Sequence, residues 1–267
     1  MKPSYRFRSL VLLSPLLLSF GPLATLRAED ILFFGNSFTS SNDIPKMVEA
    51  IAVSKGKAVT VMAVTKGGQG FPYHLGNPAT DPALESKPWN WVVLQDYSLA
   101  PTHARKVEDF MKYGQAFYDR IVQKSPAAGV VLYETWAFSP KHALFTAAEG
   151  KKAQFASPDE LTGELQKNYA ALQAVLQAKD PKRPVLVAPV GTAFANCVRT
   201  HPDVNLFAPD FKHPNVDGSY LSALVIYATV YKDSPLGAAP GKKVKPADAK
   251  ILQEVAEATI KAASTGK

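Results

Sequence analysis

Short runs of bulky apolar residues alternate along the chain with longer stretches in which apolar residues recur every three or four positions. Ile31-Leu32-Phe33-Phe34 is the first such run after the N-terminal segment, and it suits a strand buried on both faces of a parallel sheet. Four more runs follow: Ala58 to Val64, Trp91 to Leu94, Ala128 to Tyr133, and Pro184 to Val190. Between them, helical spacing is carried by Ile44, Met47, Val48, Ile51 and Ala52 within Asp43–Lys55. It recurs in Val107, Phe110, Met111, Phe117, Ile121 and Val122 within 107–124. Ser157-Pro158-Asp159-Glu160 is a helix start, with a capping serine and a proline in the first turn, and the helix it opens runs to about Ala178. Ala193 to Arg199 predicts a short helix, Val216 to Tyr231 an apolar one, and Pro246 to Ala263 an amphipathic one. Pro72 to Lys87 reads as irregular, 137–157 as a loop or partial lid, and 237–245 as a linker. Strands alternating with helices predict an α/β fold, a three-layer αβα sandwich around a five-stranded parallel sheet.

The first residues follow a different pattern. Lys2, Arg6 and Arg8 precede the apolar run Leu10 to Phe20, and Leu26-Arg27-Ala28 ends on a small residue. That order predicts a signal peptide over 1–28, cleaved after Ala28, with the protein secreted or periplasmic. The alternative is an uncleaved anchor, but Pro15 breaks a run already short of the ~20 residues a span needs. Removing the segment lowers the net charge from +7 to +3, because four basic and no acidic side chains leave with it. Much of the basicity is therefore targeting. No Lys/Arg block interleaved with aromatics remains, so no nucleic-acid partner is expected, nor any stable membrane insertion after cleavage. Residues 29–267 fit a single domain, with a helical extension from about 246 that either covers the sheet or mediates a dimer. Cys197 is the sole cysteine, which excludes an intrachain disulfide and suits a buried apolar site.

Candidate chemistry begins where the first run ends. Gly35 permits a sharp turn, Ser37 follows it, and possible helix caps come next from Thr39 to Asp43. Strand, turn, helix puts Ser37 at the carboxyl end of a sheet, where open α/β folds bind ligands. Thr65-Lys66-Gly67-Gly68-Gln69-Gly70 ends the second run, and its glycines either let backbone N–H groups approach a ligand or simply form a turn. There is no GxGxxG and no Gly-Lys-Ser/Thr, so no cofactor is expected. A nucleophilic serine needs a base and a group to orient it. Asp210-Phe211-Lys212-His213-Pro214-Asn215 supplies both within four residues, although the same spacing suits a surface ion pair or half of a metal site. His201 with Asp203 is the second choice, while His74, His103 and His142 have no acid at comparably short spacing.

Gly35-Asn36-Ser37-Phe38-Thr39, the Gly67-Gly68 loop, Leu94-Gln95-Asp96-Tyr97-Ser98 and Asp210-x-x-His213-Pro214 occur in that order. Together they resemble the SGNH (GDSL-like) hydrolases, in particular the branch with GNSFT, Gly-Gly, LQ-D/E-x-S and DxxHP blocks, over residues 31 to about 235. The resemblance implies a flavodoxin-like SGNH hydrolase fold. It assigns Ser37 as nucleophile, His213 as general base and acid, and Asp210 as its orienting partner. It also implies oxyanion donors at the Ser37 N–H, at Gly68 or Gly67 with Gly68 favoured, and at Gln95. Two positions depart from the wider family. Gln95 stands where an asparagine is usual, on a stem one methylene longer, and Asn36 stands where many members have aspartate.

The function expected is hydrolysis of small acyl esters, of the acetyl type and on carbohydrate, through an acyl-enzyme. Trp136, Tyr97, Phe71 and Tyr73 are candidates for an aromatic substrate wall, with at least two of them expected in the core instead. Competing readings are a non-catalytic glycan-binding domain, a lipase or thioesterase type of serine hydrolase, and a metal-dependent hydrolase using Asp210, His213 and His201. The last lacks paired ligands of the HExxH kind, and no metal is expected.

Overall fold

In a computed structural model of the chain, residue 1 and residues 28–146 and 153–265 are described. Most of the expected signal peptide (residues 2–27) and the middle of the expected lid (147–152) lie outside the described residues. Five strands form one parallel sheet: β1 (Glu29–Gly35), β2 (Val59–Thr65), β3 (Trp91–Leu94), β4 (Gly129–Tyr133) and β5 (Val185–Ala188), in the order β2-β1-β3-β4-β5. Phe33 lies beside Ala63 on one side and Val93 on the other, and Val131 sits between Val93 and Leu186. The uninterrupted apolar runs fall on the inner strands. Ile31 to Phe34, Val92 to Leu94 and Val130 to Tyr133 are wholly buried, as strands covered on both faces should be. The edge strand β2 leaves Met62 and Ala63 exposed.

The helices cover the sheet as parallel crossovers require. The step from β1 to β2 runs one way along the sheet and the steps to β3, β4 and β5 run the other. Right-handed connections therefore put α2 (Ile44–Ser54) on one face and α5 (Val107–Lys124) with α6 (Pro158–Lys179) on the opposite face. α8 (Val216–Tyr231) joins α2, and α9 (Pro246–Thr265) lies over α8 and touches α7 (Val190–Thr200). With both α2 and α9 against it, α8 is buried almost all round, which explains its lack of a polar face. The extension beyond 246 therefore covers a helix of the domain itself.

Two segments differ from the sequence reading. Residues 72–87, expected to be irregular, contain α3 (Phe71–Gly76) and α4 (Thr80–Glu85). Each is six residues long, too short to repeat the 3.6-residue period by which helices are recognised. Tertiary bonds hold them: Trp89 donates its Nε1–H to the Ala83 carbonyl at 2.8 Å, and the Thr80 hydroxyl bonds the His74 carbonyl at 2.5 Å. α7 begins at Val190, three residues before the expected Ala193. Its first-turn Thr192 N–H is capped by Glu134 Oε1 at 2.7 Å, a partner 58 residues away that no local pattern reveals.

Candidate active site

β1 and β3 are neighbours at the point where the strand order reverses, and both end at the same sheet edge, the crevice in which open α/β sheets bind ligands. β1 leads through Gly35 and Asn36 into a four-residue helix, α1 (Ser37–Ser40). Gly35 is required by close approach, since a Cβ there would stand 2.2 Å from Thr39 Oγ1 and 2.8 Å from Gln95 Oε1. Asn36 is almost wholly buried and ties three strand ends together. Its Oδ1 accepts the Phe38 N–H at 3.0 Å, while its Nδ2 donates to the carbonyls of Gln69 (2.7 Å) and Asp96 (3.3 Å). From beneath, buried His74 donates its Nε2–H to the Gly35 carbonyl at 2.9 Å. Burial lowers the His74 pKa against the opposing effect of that bond.

Ser37 emerges half-buried from this turn. Its hydroxyl lies 2.8 Å from His213 Nε2, and His213 Nδ1 lies 2.5 Å from Asp210 Oδ2. Burial acts to raise the Asp210 carboxyl. Hydrogen bonds from the His213 ring and from the backbone N–H groups of His213 and Lys212 outweigh it and hold the group at about 2. An ionised Asp210 only accepts, so Nδ1 carries the proton and Nε2 is free to accept from the Ser37 O–H. The three residues that the spacing and the resemblance singled out are thus in one hydrogen-bonded line.

The loop bearing His213 is fastened from several directions. Phe211 has φ +62°, a left-handed conformation unusual for a bulky residue. Backbone bonds brace it: Phe211 N–H to the Ala208 carbonyl at 2.9 Å and Ala208 N–H to the His213 carbonyl at 2.8 Å. Asn215 caps α8 by accepting the N–H groups of Asp217 and Gly218 at 2.9 and 3.0 Å. Asn42 reaches across from the Ser37 side to the Pro214 carbonyl at 3.3 Å and the Ser219 hydroxyl at 2.9 Å.

The Gly-Gly loop lies beside the serine. Lys66 N–H bonds the Gly35 carbonyl at 3.0 Å, and Gly68 takes φ +68°, which a glycine adopts without strain. Gly67 and Gly68 are exposed, and a Cβ at either would meet open space. Asp96 forms the floor of this loop, accepting the N–H groups of Phe71 (2.7 Å) and Tyr97 (2.8 Å). Burial pushes its carboxyl up to about 6, with those two bonds pulling the other way.

Two expected site residues have other contacts. Gln95 is wholly buried, and its Oε1 accepts the Asn36 N–H and the Thr39 hydroxyl, each at 2.9 Å. Those donors fix the orientation of the amide and turn its Nε2 to the Asp96 carbonyl. Gln95 therefore supports the Ser37 turn from inside, a correction to its expected place among the oxyanion donors. Of the four aromatic candidates for a substrate wall, Trp136 and Phe71 are wholly buried, the two or more expected in the core, so Trp136 does not line a wall. Tyr97 keeps partial exposure with the Arg105 guanidinium 4.9 Å from its ring, and Tyr73 is 37% exposed. Asn36, Asn42, His74 and Asp96 were missed as site residues. Short-range pairing with acids, the signal used to sort the histidines, has no bearing on bonds to distant carbonyls. Cys197 is buried as expected, and burial raises its thiol to about 11. Among the described residues no set of three His, Cys, Asp or Glu side chains is placed to hold a metal ion, and no helix is long and apolar enough to cross a membrane.

No protein-family model matches the chain, and no curated protein matches it. Solved structures do. A DUF4886 family protein from Bacteroides uniformis superposes with a TM-score of 0.68 at 14% identity, over 88% of this chain and 95% of that one. A candidate GDSL-like lipase from Parabacteroides merdae gives 0.52 at 16% identity, over 75% and 95%. The acetyl xylan esterase AlAXEase gives 0.51 at 17% identity, over 74% and 98%. At these identities the likeness is one of fold: the five-stranded parallel sheet with its flanking helices is the SGNH, flavodoxin-like α/β architecture of the GDSL-like lipases and esterases.

Proposed function

We propose that this protein is a serine esterase, secreted or periplasmic, that hydrolyses small acetyl-type acyl esters on carbohydrate. The observation that carries the reading is the hydrogen-bonded line from Ser37 through His213 to Asp210 beside an exposed Gly-Gly turn. His213 Nε2 takes the Ser37 proton as Oγ attacks the ester carbonyl. The resulting oxyanion faces the N–H groups of Ser37 and Gly68, with Gly67 adjacent. The tetrahedral species collapses to an acyl-enzyme, and the departing alcohol takes the proton from His213. Water then attacks the acyl carbon while His213 accepts its proton, and the second collapse returns that proton to Ser37 Oγ. Each oxyanion donor contributes about 3–4 kcal/mol to such a step. Tyr97 remains available as part of a substrate wall. The likeness in fold to an acetyl xylan esterase and the export-type N-terminal sequence support an acetylated glycan as substrate.

The test takes the mature protein through p-nitrophenyl esters of graded chain length and acetylated polysaccharides, with and without a fluorophosphonate. Acetate should be the preferred acyl group, and Ser37→Ala should abolish both turnover and labelling. Residual esterase activity in that variant would remove Ser37 as nucleophile. Glycan retention without hydrolysis would favour a binding domain, and a preference for long chains or thioesters a lipase or thioesterase.

A further inference from the structure

The chain beyond β4 crosses behind the line of Ser37 and His213, and one side chain there touches both limbs of the site. Trp136 is wholly buried, with one indole face stacked on Phe38 (ring centroids 4.3 Å apart, planes 3° from parallel). Its other face stacks on Phe194 of α7 at 4.4 Å and 10°. Phe38 directly follows Ser37, and its ring meets the His213 imidazole edge-on at 5.4 Å. The indole Nε1–H donates to the Lys212 carbonyl at 3.0 Å. That carbonyl belongs to the peptide unit whose nitrogen is His213 N, and His213 N–H itself bonds Asp210 Oδ1 at 3.0 Å. Three residues further on, Ser139 N–H donates to the Phe211 carbonyl at 2.8 Å, so two successive carbonyls of the histidine loop are held by one segment.

From these contacts we infer that Trp136 is a positioning residue that sets the separation of Ser37 and His213. This rests on the reading of those two residues as nucleophile and base. The indole is a rigid spacer: its stacked face locates α1 through Phe38, and its N–H fixes the peptide plane that carries the imidazole. The stack alone would serve as core packing. The N–H bond is what aims the base, because the loop's own backbone bonds hold the left-handed turn at Phe211 while the indole fixes the Lys212–His213 peptide plane from outside it. Buried as it is, Trp136 acts on the reaction only through Phe38 and Lys212.

The experiment separates the N–H from the ring. Trp136→Phe keeps an aromatic stack and leaves the Lys212 carbonyl without its donor. Site-specific replacement of the indole by benzothiophene preserves size and shape and removes only the N–H. Activity is expressed per fluorophosphonate-titrated site, beside Tm and the pH profile of kcat/KM. The expected result is a loss of kcat of about tenfold to a hundredfold with KM within about twofold, and a displaced acid limb in the profile, in both variants. The benzothiophene protein should melt close to the parent. Parental kcat per titrated site and an unmoved profile in the benzothiophene protein would overturn the inference, even if Trp136→Phe unfolds. Ser37→Ala, run alongside, distinguishes the two levels. If it retains turnover, the reading of the site has failed. If it is inactive while the benzothiophene protein behaves as the parent, only the role of Trp136 has failed.

Discussion

Glu134, at the carboxyl end of β4, is 4% exposed, and its Oε1 accepts both the N–H (2.7 Å) and the hydroxyl (2.8 Å) of Thr192. Burial raises its carboxyl to about 7 against an ordinary glutamate value of 4.5, with the Thr192 bonds opposing. Below pH 4.5 the group is neutral in both folded and unfolded chains and costs nothing. Between pH 4.5 and 7 the unfolded chain ionises while the folded one keeps its proton, so stability falls by about 1.4 kcal/mol per pH unit. Above pH 7 the loss levels off at about 3 kcal/mol. Glu134→Gln keeps an oxygen for Thr192 and never ionises, so it escapes that loss. At pH 8.5 the variant should be the more stable by up to about 3 kcal/mol, a Tm higher by about 6 to 12 °C for a chain of this length. At pH 4.5 the two melting curves should nearly coincide. Thermal melts followed by circular dichroism across pH 4.5–8.5 measure this directly. A Tm difference that stays constant across that range would refute the burial argument.

Three further outcomes follow from the site. Gln95→Ala strands the buried Asn36 N–H and should cost about 1–3 kcal/mol of stability; parental Tm with a hundredfold lower kcat would instead restore Gln95 to the oxyanion site. Gly35→Ala drives a methyl group into Thr39 Oγ1 and Gln95 Oε1, so it should lower stability by about 1–3 kcal/mol or more and slow fluorophosphonate labelling; labelling at the parental rate would show that the turn can yield. Asp210→Asn keeps an acceptor for the N–H groups of Lys212 and His213 but presents N–H instead of oxygen to Nδ1. It should lower kcat by a factor on the order of 10^4 with little change in Tm. Because the Asp210 carboxyl is held at about 2, below its ordinary 3.8, its own contribution to stability is present above pH 3.8 and fades as pH falls through about 2.

What was legible in the sequence follows from the range of the forces involved. The strand Trp91–Leu94 and the helices 107–124 and 216–231 were found at their actual ends, because an apolar run, apolar periodicity and a long apolar stretch, respectively, are local signals. Asp210 and His213 were legible for the same reason, as acid and base share one turn. Ser37 was legible through its place after a buried strand. Gln95 was expected as an oxyanion donor and Trp136 in a substrate wall, and both side chains face inward. Whether a side chain at a strand end faces outward or inward depends on partners such as Asn36 N–H and the Lys212 carbonyl, 59 and 76 residues away. His103 shows the same limit. Its acid partner, Glu164, lies 61 residues along the chain and 2.5 Å from Nδ1 in space.

The two hydrogen bonds of the Ser37–His213–Asp210 line differ greatly in span: three residues separate aspartate from histidine, and 176 separate serine from histidine. On the proposed reading, a nascent or half-folded chain can thus hold the Asp210–His213 pair with nothing to activate. On that reading, acylation of Ser37 would wait on assembly of the sheet, since the loop that brings His213 to it spans 176 positions. During refolding, capture by fluorophosphonate should lag the far-UV signal, and the appearance of turnover marks the moment when both ends of the polypeptide have met.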